Sequence, residues 1–227
     1  MSRCVRQNRC FAGLFLICVL LAVAWPICGP AAAADSPPTD EQGFVPIFNG
    51  RDLAGWEGDT KLWLVEDGML VGRSPGINYN DFLATVKTYG DFILRFQIRL
   101  LDNRGNSGVQ FRSQRVPPPS HEVSGYQADI SAGWWGKLYD ESRRNRVLAG
   151  PPQDVLDKAL KPADWNDYEI QAVGNKITLR LNGVTTVEYT EADAAVAREG
   201  IIATQIHSGG PMEVRFKNLR IKELPGK

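Results

Sequence analysis

The sequence predicts an all-β fold, an antiparallel jelly-roll β-sandwich that forms one domain with little helix. Three observations lead to this prediction. Apolar and polar residues alternate with period two in many short stretches, turn-forming residues separate these stretches, and only two segments suit a helix. A parallel α/β fold is disfavoured because its crossover connections need longer helices.

Residues 1–34 are predicted to be a cleavable secretory signal peptide. The first nine residues carry three arginines and no acid, and residues 11–25 form an uncharged apolar stretch. The small residues 32–34 favour cleavage before Asp35. An uncleaved membrane anchor is the alternative, because residues 27–28 bring the apolar run close to the ~20 residues that span a bilayer. We therefore expect an exported protein, periplasmic or extracellular, with no stable membrane span after cleavage.

All four cysteines belong to the predicted signal peptide. The mature chain would therefore have no disulfide, no thiol nucleophile and no thiolate metal site. Cleavage also removes three arginines and leaves 23 basic and 26 acidic residues, so nucleic acid is not an expected partner. The remaining chain is long enough to bury one substantial hydrophobic core without disulfides.

The folded domain is predicted to span residues 43–227, after a polar, proline-containing linker at residues 35–42. Its clearest strand is Phe92–Leu100, in which every second residue is apolar. The same pattern predicts strands in residues 63–65, 69–71, 109–111, 126–130, 168–172, 177–181, 202–206 and 212–216. Hairpin turns are predicted at Asp67-Gly68, Gly174-Asn175 and Asn182-Gly183. Short helices are predicted at Asp154–Leu160 and Glu191–Arg198.

Several predicted strands carry planar or ionisable hydrogen-bonding groups at the positions that alternate away from the core. We interpret them as one polar floor on a concave sheet, suited to binding a carbohydrate. Its members are Arg95, Gln97, Arg99, Gln110, Arg112, Gln127, Asp129, Gln205 and His207. The alternative is that these side chains simply pair with one another on a solvated sheet.

A second concentration of candidate residues lies between residues 133 and 146. Trp134 and Trp135 are flanked by glycines and could stack on a sugar ring. The residues predicted to address sugar hydroxyls are Tyr139, Asp140, Glu141, Arg143 and Arg144. The alternative is that one tryptophan plugs the end of the sandwich while the charges form surface ion pairs.

Histidine is rare, and His207 has the better context of the two. It lies on the polar phase at the end of a predicted strand, beside a glycine-rich loop, where a general base, a general acid or a metal ligand could act. A hydrogen-bonded surface histidine is the alternative. His121 has weaker context.

A conventional two-carboxylate glycosidase is disfavoured. Asp140 and Glu141 are adjacent and point in opposite directions on an extended chain, although Asp129 could partner Glu141 in space. No nucleophile elbow, zinc-protease motif or phosphate-binding loop is present in the sequence.

Several stretches together resemble the 3-keto-disaccharide hydrolase family, between about residues 43 and 224. They are GFVPIFNGRDLAGW from Gly43, NSGVQFRS from Asn106, GYQADI from Gly125, GKLYDESRR from Gly136, WNDYEI from Trp165 and QIHSGGPMEVRFKNLRIKEL from Gln205. The resemblance implies a concanavalin-like or laminin-G-like jelly roll. It also implies cleavage of glycosides whose sugar a separate oxidoreductase has first converted to a 3-ketone.

The resemblance implies an elimination reaction, because a ketone at C3 acidifies the proton at C2. Such a site needs a base, an acid for the leaving oxygen and a group that stabilises the enolate. The candidates are His207 or Asp129 as base, Glu141 or Tyr139 as acid, and Arg112 or a divalent cation at the enolate oxygen. Asp129, Glu141 and His207 would hold that cation.

The remaining candidates would bind substrate. They are Gln110, Gln127, Trp134, Trp135, Asp140, Arg143, Arg144 and Gln205. A non-catalytic carbohydrate-binding or adhesion module is the alternative function, because sandwiches of this shape also bind glycans without cleaving them.

Overall fold

A computed structural model describes residues 42–226. The predicted signal peptide, and all but the last residue of the predicted linker, lie outside the described residues. Within residues 42–226, no helix has both the length and the apolar character needed to cross a membrane.

The described chain forms two antiparallel β-sheets, which confirms the predicted all-β sandwich. The first sheet contains, in spatial order, β13 (Val184–Thr190), β12 (Lys176–Leu181), β11 (Asn166–Val173), β6 (Phe92–Leu100), β15 (Met212–Glu223), β4 (Met69–Ser74) and β3 (Trp63–Glu66), and β1 (Val45–Pro46) also pairs with β15. The second sheet contains β10 (Arg146–Ala149), β9 (Leu138–Glu141), β8 (Val123–Ser131), β7 (Asn106–Arg115), β14 (Ile201–Ile206), β5 (Asp81–Thr85) and β2 (Trp56–Glu57).

The three predicted hairpin turns connect neighbouring strands of the first sheet. Asp67-Gly68 joins β3 to β4, Gly174-Asn175 joins β11 to β12, and Asn182-Gly183 joins β12 to β13. Both residues of the Asp-Gly and Asn-Gly turns have positive φ, as a two-residue hairpin turn requires. The residue types in these turns therefore match the turn conformation that the pairing of the flanking strands requires.

Helix is confined to α1 (Gln153–Ala159) and a short 3-10 turn at Leu101–Asn103 in the described residues. The prediction near residue 154 is confirmed, whereas the prediction at Glu191–Arg198 is wrong. The buried Glu191 carboxylate accepts a hydrogen bond from the backbone N–H of Asp193, and Asp193 caps the N–H of Ala195 in the same way. These local hydrogen bonds replace those of a helix.

The hydrophobic core lies between the two sheets. All five apolar residues of the β6 alternation are buried, and Phe92 meets Phe111 of the second sheet edge to face, with ring centroids 6.3 Å apart. Phe96 stacks on Tyr168 of the neighbouring strand at 5.4 Å. Burial of each such large side chain stabilises the fold by roughly 1.5–3 kcal/mol, so the inward-facing positions fix the two sheets.

The outer face of the second sheet, which points away from this core, is partly covered by the chain itself. The pairing of β7 with β8 shifts register between Phe111 and Gln114, and the hairpin beyond this point folds over the sheet. There Val123 packs against Phe82, Ala84 and Ala203 in a small separate apolar cluster. We call residues 113–124 the β7–β8 arm.

Candidate functional site

A polar cleft opens on the outer face of the second sheet, beside the β7–β8 arm. We call it the Asp129 cleft. It has a volume of about 140 Å³ and is lined by Asn106, Gln127, Asp129, Trp134, Tyr139, Glu141 and His207. These residues come from or lie next to four adjacent strands, β9, β8, β7 and β14. Strand alternation turns their side chains away from the core and toward one another.

The centre of the cleft depends on a position without a side chain. Gly108 pairs with Asp129 across β7 and β8. A Cβ atom at Gly108 would lie 2.4 Å from Cδ of Gln127, so only glycine lets the Gln127 side chain lie across β7.

Gln127 is part of a buried chain of hydrogen bonds that ends on Asp129. Ser113 Oγ donates to Gln110 Oε1 at 2.9 Å, and Gln110 Nε2 donates to Gln127 Oε1 at 2.9 Å. Gln127 Nε2 in turn donates to Asp129 Oδ1 at 2.7 Å. Each amide is therefore oriented by its neighbour, and the chain fixes the carboxylate of Asp129.

Burial makes Asp129 a weaker acid than an ordinary aspartate. Loss of solvation, helped by the nearby charge of Glu141, raises its pKa to about 7 against the opposing hydrogen bond from Gln127. Its second oxygen, Oδ2, is buried without a hydrogen-bond partner among the described residues. Near neutral pH this carboxyl group can therefore either accept or give up a proton.

Other buried polar atoms beside Asp129 also lack partners within the described chain. They are Asn106 Oδ1 and both amide atoms of Gln205. Gln205 lies close enough to Glu141 to lower the pKa of that carboxyl group, but not in hydrogen-bond geometry. A buried polar atom without a partner costs about 1–3 kcal/mol. Such a concentration around one cleft indicates that a polar ligand completes the hydrogen bonds.

The rim of the cleft supplies further acids and a stacking surface. Burial, with the adjacent carboxylate of Glu122, raises the pKa of Glu141. Burial likewise raises the pKa of Tyr139, so its hydroxyl keeps its proton at neutral pH. Trp134 is 40% exposed and meets Tyr139 edge to face at 6.0 Å, while Lys137 lies over its ring. An aromatic face is thus presented beside the carboxylates.

His207 is oriented by the residue that follows it. Its Nδ1 lies 2.8 Å from the carbonyl oxygen of Ser208. Because a carbonyl oxygen only accepts, Nδ1 carries the proton, and Nε2 of the neutral ring is left as a hydrogen-bond acceptor.

Arg112 is placed away from the cleft, which corrects its predicted role at an enolate oxygen. It has φ of 47° in the register shift, and this left-handed conformation redirects its side chain. The guanidinium is buried and donates to the carbonyl oxygens of Gly90 and Gly174 and to Asp91 Oδ1, the last at 2.7 Å. Arg112 therefore links the second sheet to loops of the first.

Arg95, Gln97 and Arg99 are also outside the cleft. They lie on β6, a strand of the first sheet, whereas the cleft belongs to the second. Arg95 pairs with Glu169 at 2.7 Å and Gln97 donates to Asp167 at 2.9 Å. Arg99 donates to the carbonyl oxygen of Ala163 at 2.9 Å, so all three side chains are engaged with residues outside the predicted floor.

The segment between residues 133 and 146 is divided between cleft and interior. Trp135 is fully buried and donates from Nε1 to Asn103, so it belongs to the core and not to a stacking surface. Asp140 points inward from β9 and forms ion pairs with Arg143 and Arg144. Arg144 also forms an ion pair with Glu191, in which Nη2 and Oε2 are 2.6 Å apart. Four residues predicted to contact substrate, Trp135, Asp140, Arg143 and Arg144, therefore fill structural positions.

A cation site is not assembled in the described part of the chain. Asp129, Glu141 and His207 line the same cleft, but residues 42–226 contain no group of three His, Cys, Asp or Glu side chains placed to hold a metal ion.

Sequence reasoning missed three residues of this region. Asn106 and Gly108 share the period-two face of Gln110 but were not included in the predicted polar floor. The period-two spacing of residues 106, 108 and 110 could have identified both as members of the cleft. Glu122 acts on Glu141 from the β7–β8 arm, and no sequence pattern indicates that the arm folds back over the sheet.

An antiparallel sandwich with a polar, aromatic-rimmed cleft on an open sheet face belongs to the broad class of lectin-like β-sandwich domains. The profile of one family, described as the 3-keto-alpha-glucoside-1,2-lyase-like domain, matches residues 43–222. The chain belongs to this family. No match was found among curated proteins.

Solved structures show the same fold at low sequence identity. A provisionally assigned glycosyl hydrolase from Parabacteroides distasonis ATCC 8503 is 21% identical, with a TM-score of 0.61 over 81% of this chain and 94% of that chain. The carbohydrate-binding module CBM66 from Bacillus subtilis is 19% identical, with a TM-score of 0.56 over 74% and 96%. A Bacillus subtilis protein of unknown function with a galectin-like fold is 10% identical, with a TM-score of 0.53 over 81% and 96%.

Proposed function

We propose that this protein is an exported enzyme that cleaves the glycosidic bond of 3-keto-glycosides by elimination, with net hydrolysis once water adds to the product. The observation that carries the proposal is the Asp129 carboxyl group. It is buried in a cleft, its pKa is raised to about 7, and one of its oxygens lacks a partner in the described chain. A carboxylate in this state is suited to abstract a proton from carbon near neutral pH.

The reaction begins at C2 of the oxidised sugar. Asp129 Oδ2 takes the C2 proton, and the electron pair of the C–H bond forms an enolate with the C3 ketone. When the ketone re-forms, the pair moves to a C1=C2 double bond and the C1–O bond breaks. The leaving oxygen takes a proton from an acid on the enzyme. The family description, a 1,2-lyase acting on a 3-keto-α-glucoside, supports this order of bond changes.

The other residues of the cleft divide the remaining tasks. Tyr139 holds its proton at neutral pH and is our first choice as acid, with Glu141 as the second. Gln205 Nε2 is a buried donor without a partner in the described chain, so it can donate a hydrogen bond to the enolate oxygen. Arg112 is not available for this task, because its guanidinium is bound to Gly90, Gly174 and Asp91. Trp134 would stack on the sugar ring.

The decisive assay compares 3-keto-glucosides with their unoxidised parents, with and without a chelator. We expect the purified protein to release the aglycone only from the keto substrates. Asp129→Asn should lower kcat by at least about 10²-fold, within the usual range for loss of a general base. Asp167→Asn, the same change on the first sheet, is the matched control and should retain activity. Absence of product from every keto substrate would overturn the proposal.

Carbohydrate binding without cleavage is the second candidate function. The similarity of the fold to a carbohydrate-binding module and the exposed Trp134 favour it. It predicts that unoxidised sugars bind the cleft as tightly as keto sugars and that neither is consumed.

The proposed substrate also defines a metabolic partner. The proposed substrate already carries a ketone at C3, so a separate sugar 3-oxidoreductase would supply it. Export would place cleavage in the periplasm or outside the cell.

A further inference from the structure

A second groove lies on the outer face of the second sheet, between strand β5 and the β7–β8 arm. Its volume is about 390 Å³. The groove is lined by Tyr79, Asp81, Phe82, Arg115, Pro117 and His121, among others. We call it the Tyr79–His121 groove. None of these residues takes part in the proposed reaction.

The groove is larger than the cleft and can hold the part of a substrate for which the cleft is too small. Small-molecule sites usually measure roughly 300–1,000 Å³, and the Asp129 cleft, at about 140 Å³, is below that range. The cleft is therefore too small to hold a disaccharide by itself. The Tyr79–His121 groove falls within the range, at about 390 Å³.

One side chain of the groove is hydrogen-bonded to a residue next to the cleft. Glu122 lines the groove, and its Oε1 accepts a hydrogen bond from Asn80 at 3.0 Å, while its Oε2 accepts one from Ser142 at 3.4 Å. Ser142 directly follows Glu141 of the cleft. Asn80 in turn accepts the backbone N–H of Ser208 at 2.9 Å, next to His207. These hydrogen bonds therefore join residues next to the cleft to residues that line the groove, so the two cavities are neighbours on the same face of the sheet.

The chemistry of the groove suits a sugar ring. Tyr79 and His121 stack with ring centroids 4.4 Å apart, and His121 is exposed. Neither the Tyr79 hydroxyl nor the His121 imidazole forms a hydrogen bond to another residue of the described chain. Flat rings pack on the C–H face of a sugar, and free polar atoms with nearby Asp81 and Arg115 can meet its hydroxyl groups.

We propose that the Tyr79–His121 groove is a second sugar subsite that holds the ring on the leaving-group side of the scissile bond. The substrate class is then a 3-keto-disaccharide or longer glycoside, and not a 3-keto-glucoside with a small aglycone. This inference rests on the proposed function.

The first test is kinetic and uses a ratio. The kcat/KM for 3-keto-maltose, with the ketone on the non-reducing ring, is divided by that for methyl 3-keto-α-glucoside. The ratio should fall about tenfold in Tyr79→Ala/His121→Ala, as expected when stacking contacts with a bound ring are lost. Trp165→Ala removes an aromatic ring from the other sheet and should leave the ratio unchanged. His121→Gln, on an exposed side chain, provides a folded variant if the double variant is unstable.

The second test separates this inference from the proposed reaction. Maltose, which carries no ketone, is titrated into the purified protein while backbone amide NMR signals are followed. Shifts at residues 79 and 121 that disappear in His121→Gln support the subsite even if no keto sugar is cleaved. If keto sugars are cleaved but these signals do not move and the kinetic ratio stays within about twofold, the subsite is overturned while the proposed function stands.

Discussion

The proposed reaction depends above all on the carboxyl group of Asp129. Its carboxyl group is fixed through Oδ1 by Gln127, while Oδ2 is buried without a hydrogen-bond partner in the described chain. Burial raises its pKa to about 7, so the ionised form is populated only near and above neutral pH. The same desolvation that makes the group costly to ionise makes it a stronger base once ionised.

The pH profile should report this ionisation. Because the base must be ionised, kcat/KM for a keto substrate should be low at pH 5, rise through about pH 7, and reach a plateau above it. Initial rates between pH 5 and 9 measure the profile. A rate that is already maximal at pH 5 would exclude Asp129 as the base.

Gln127→Leu should move that profile in a known direction. The amide of Gln127 stabilises the ionised form of Asp129 and lowers its pKa, so its loss should shift the acidic limb to higher pH by about one unit. A merely structural role for Gln127 would lower the rate without moving the limb. Gln97→Leu, on the other sheet, is the matched control.

The sequence placed several members of the cleft correctly on one face, among them Gln127, Asp129 and His207. Strand alternation was sufficient for this, because each lies in a regular strand or directly after one. Alternation failed at Arg112, where a left-handed residue in a register shift redirects the side chain. A non-glycine residue in that conformation has no signal in the sequence pattern.

Among the elements, the β7–β8 hairpin has two functions. Its regular part carries Gln110, Gln127 and Asp129, and its arm forms the wall between the cleft and the groove. Arg112 lies at the junction, where its guanidinium pairs with Asp91 of the loop before β6. This junction holds the arm at a fixed position relative to the first sheet.

Arg112→Ala should therefore destabilise the fold. The Arg112 and Asp91 side chains are 2% and 8% exposed, so removal of the cation leaves a buried, unpaired carboxylate. Such a loss costs about 3–5 kcal/mol. Chemical denaturation measures it.

The control for this prediction is an exposed ion pair. Lys158→Ala breaks the pair with Asp154 on the surface of α1 and should cost less than about 1 kcal/mol. A loss of similar size in both variants would contradict the structural role of Arg112. Arg112→Ala/Asp91→Asn should recover part of the stability, because the uncompensated charge is gone.

The sequence pattern predicts the strands themselves but not which strands pair with one another. The period of two in β6 shows which residues face away from the core, but not to which sheet the strand belongs. Arg95 and Gln97 were therefore grouped with Gln127, although they lie on opposite sides of the sandwich. Sheet membership is decided by long-range pairing, such as β6 with β15.

At the scale of the whole molecule, the core and the cleft occupy different faces of the second sheet. The predicted fold class could be derived from alternation and turns because both are local signals that repeat along the chain. The absence of cysteine after residue 28 adds a further expectation. The stability of the domain is therefore expected to come from non-covalent contacts, without disulfides.

The mature protein should therefore be indifferent to reductant. Its melting temperature with and without dithiothreitol should agree within about 1 °C, since no disulfide is available to reduce. If residues 1–34 are removed as predicted, mass spectrometry of protein expressed from the full sequence should show an N-terminus at Asp35. A drop in melting temperature on reduction would mean that the signal peptide is retained and its cysteines are cross-linked.

The position of the cleft also bears on how such a protein can diversify. Its functional side chains stand on the outer face of a sheet whose inner face carries the packing. A substitution at the rim, for example at Trp134 or in the arm, exchanges solvent-facing contacts and leaves the core residues in place. Ligand preference can thus change through many small sequence changes while the fold is kept, which makes this architecture a tolerant starting point for laboratory evolution toward other ligands.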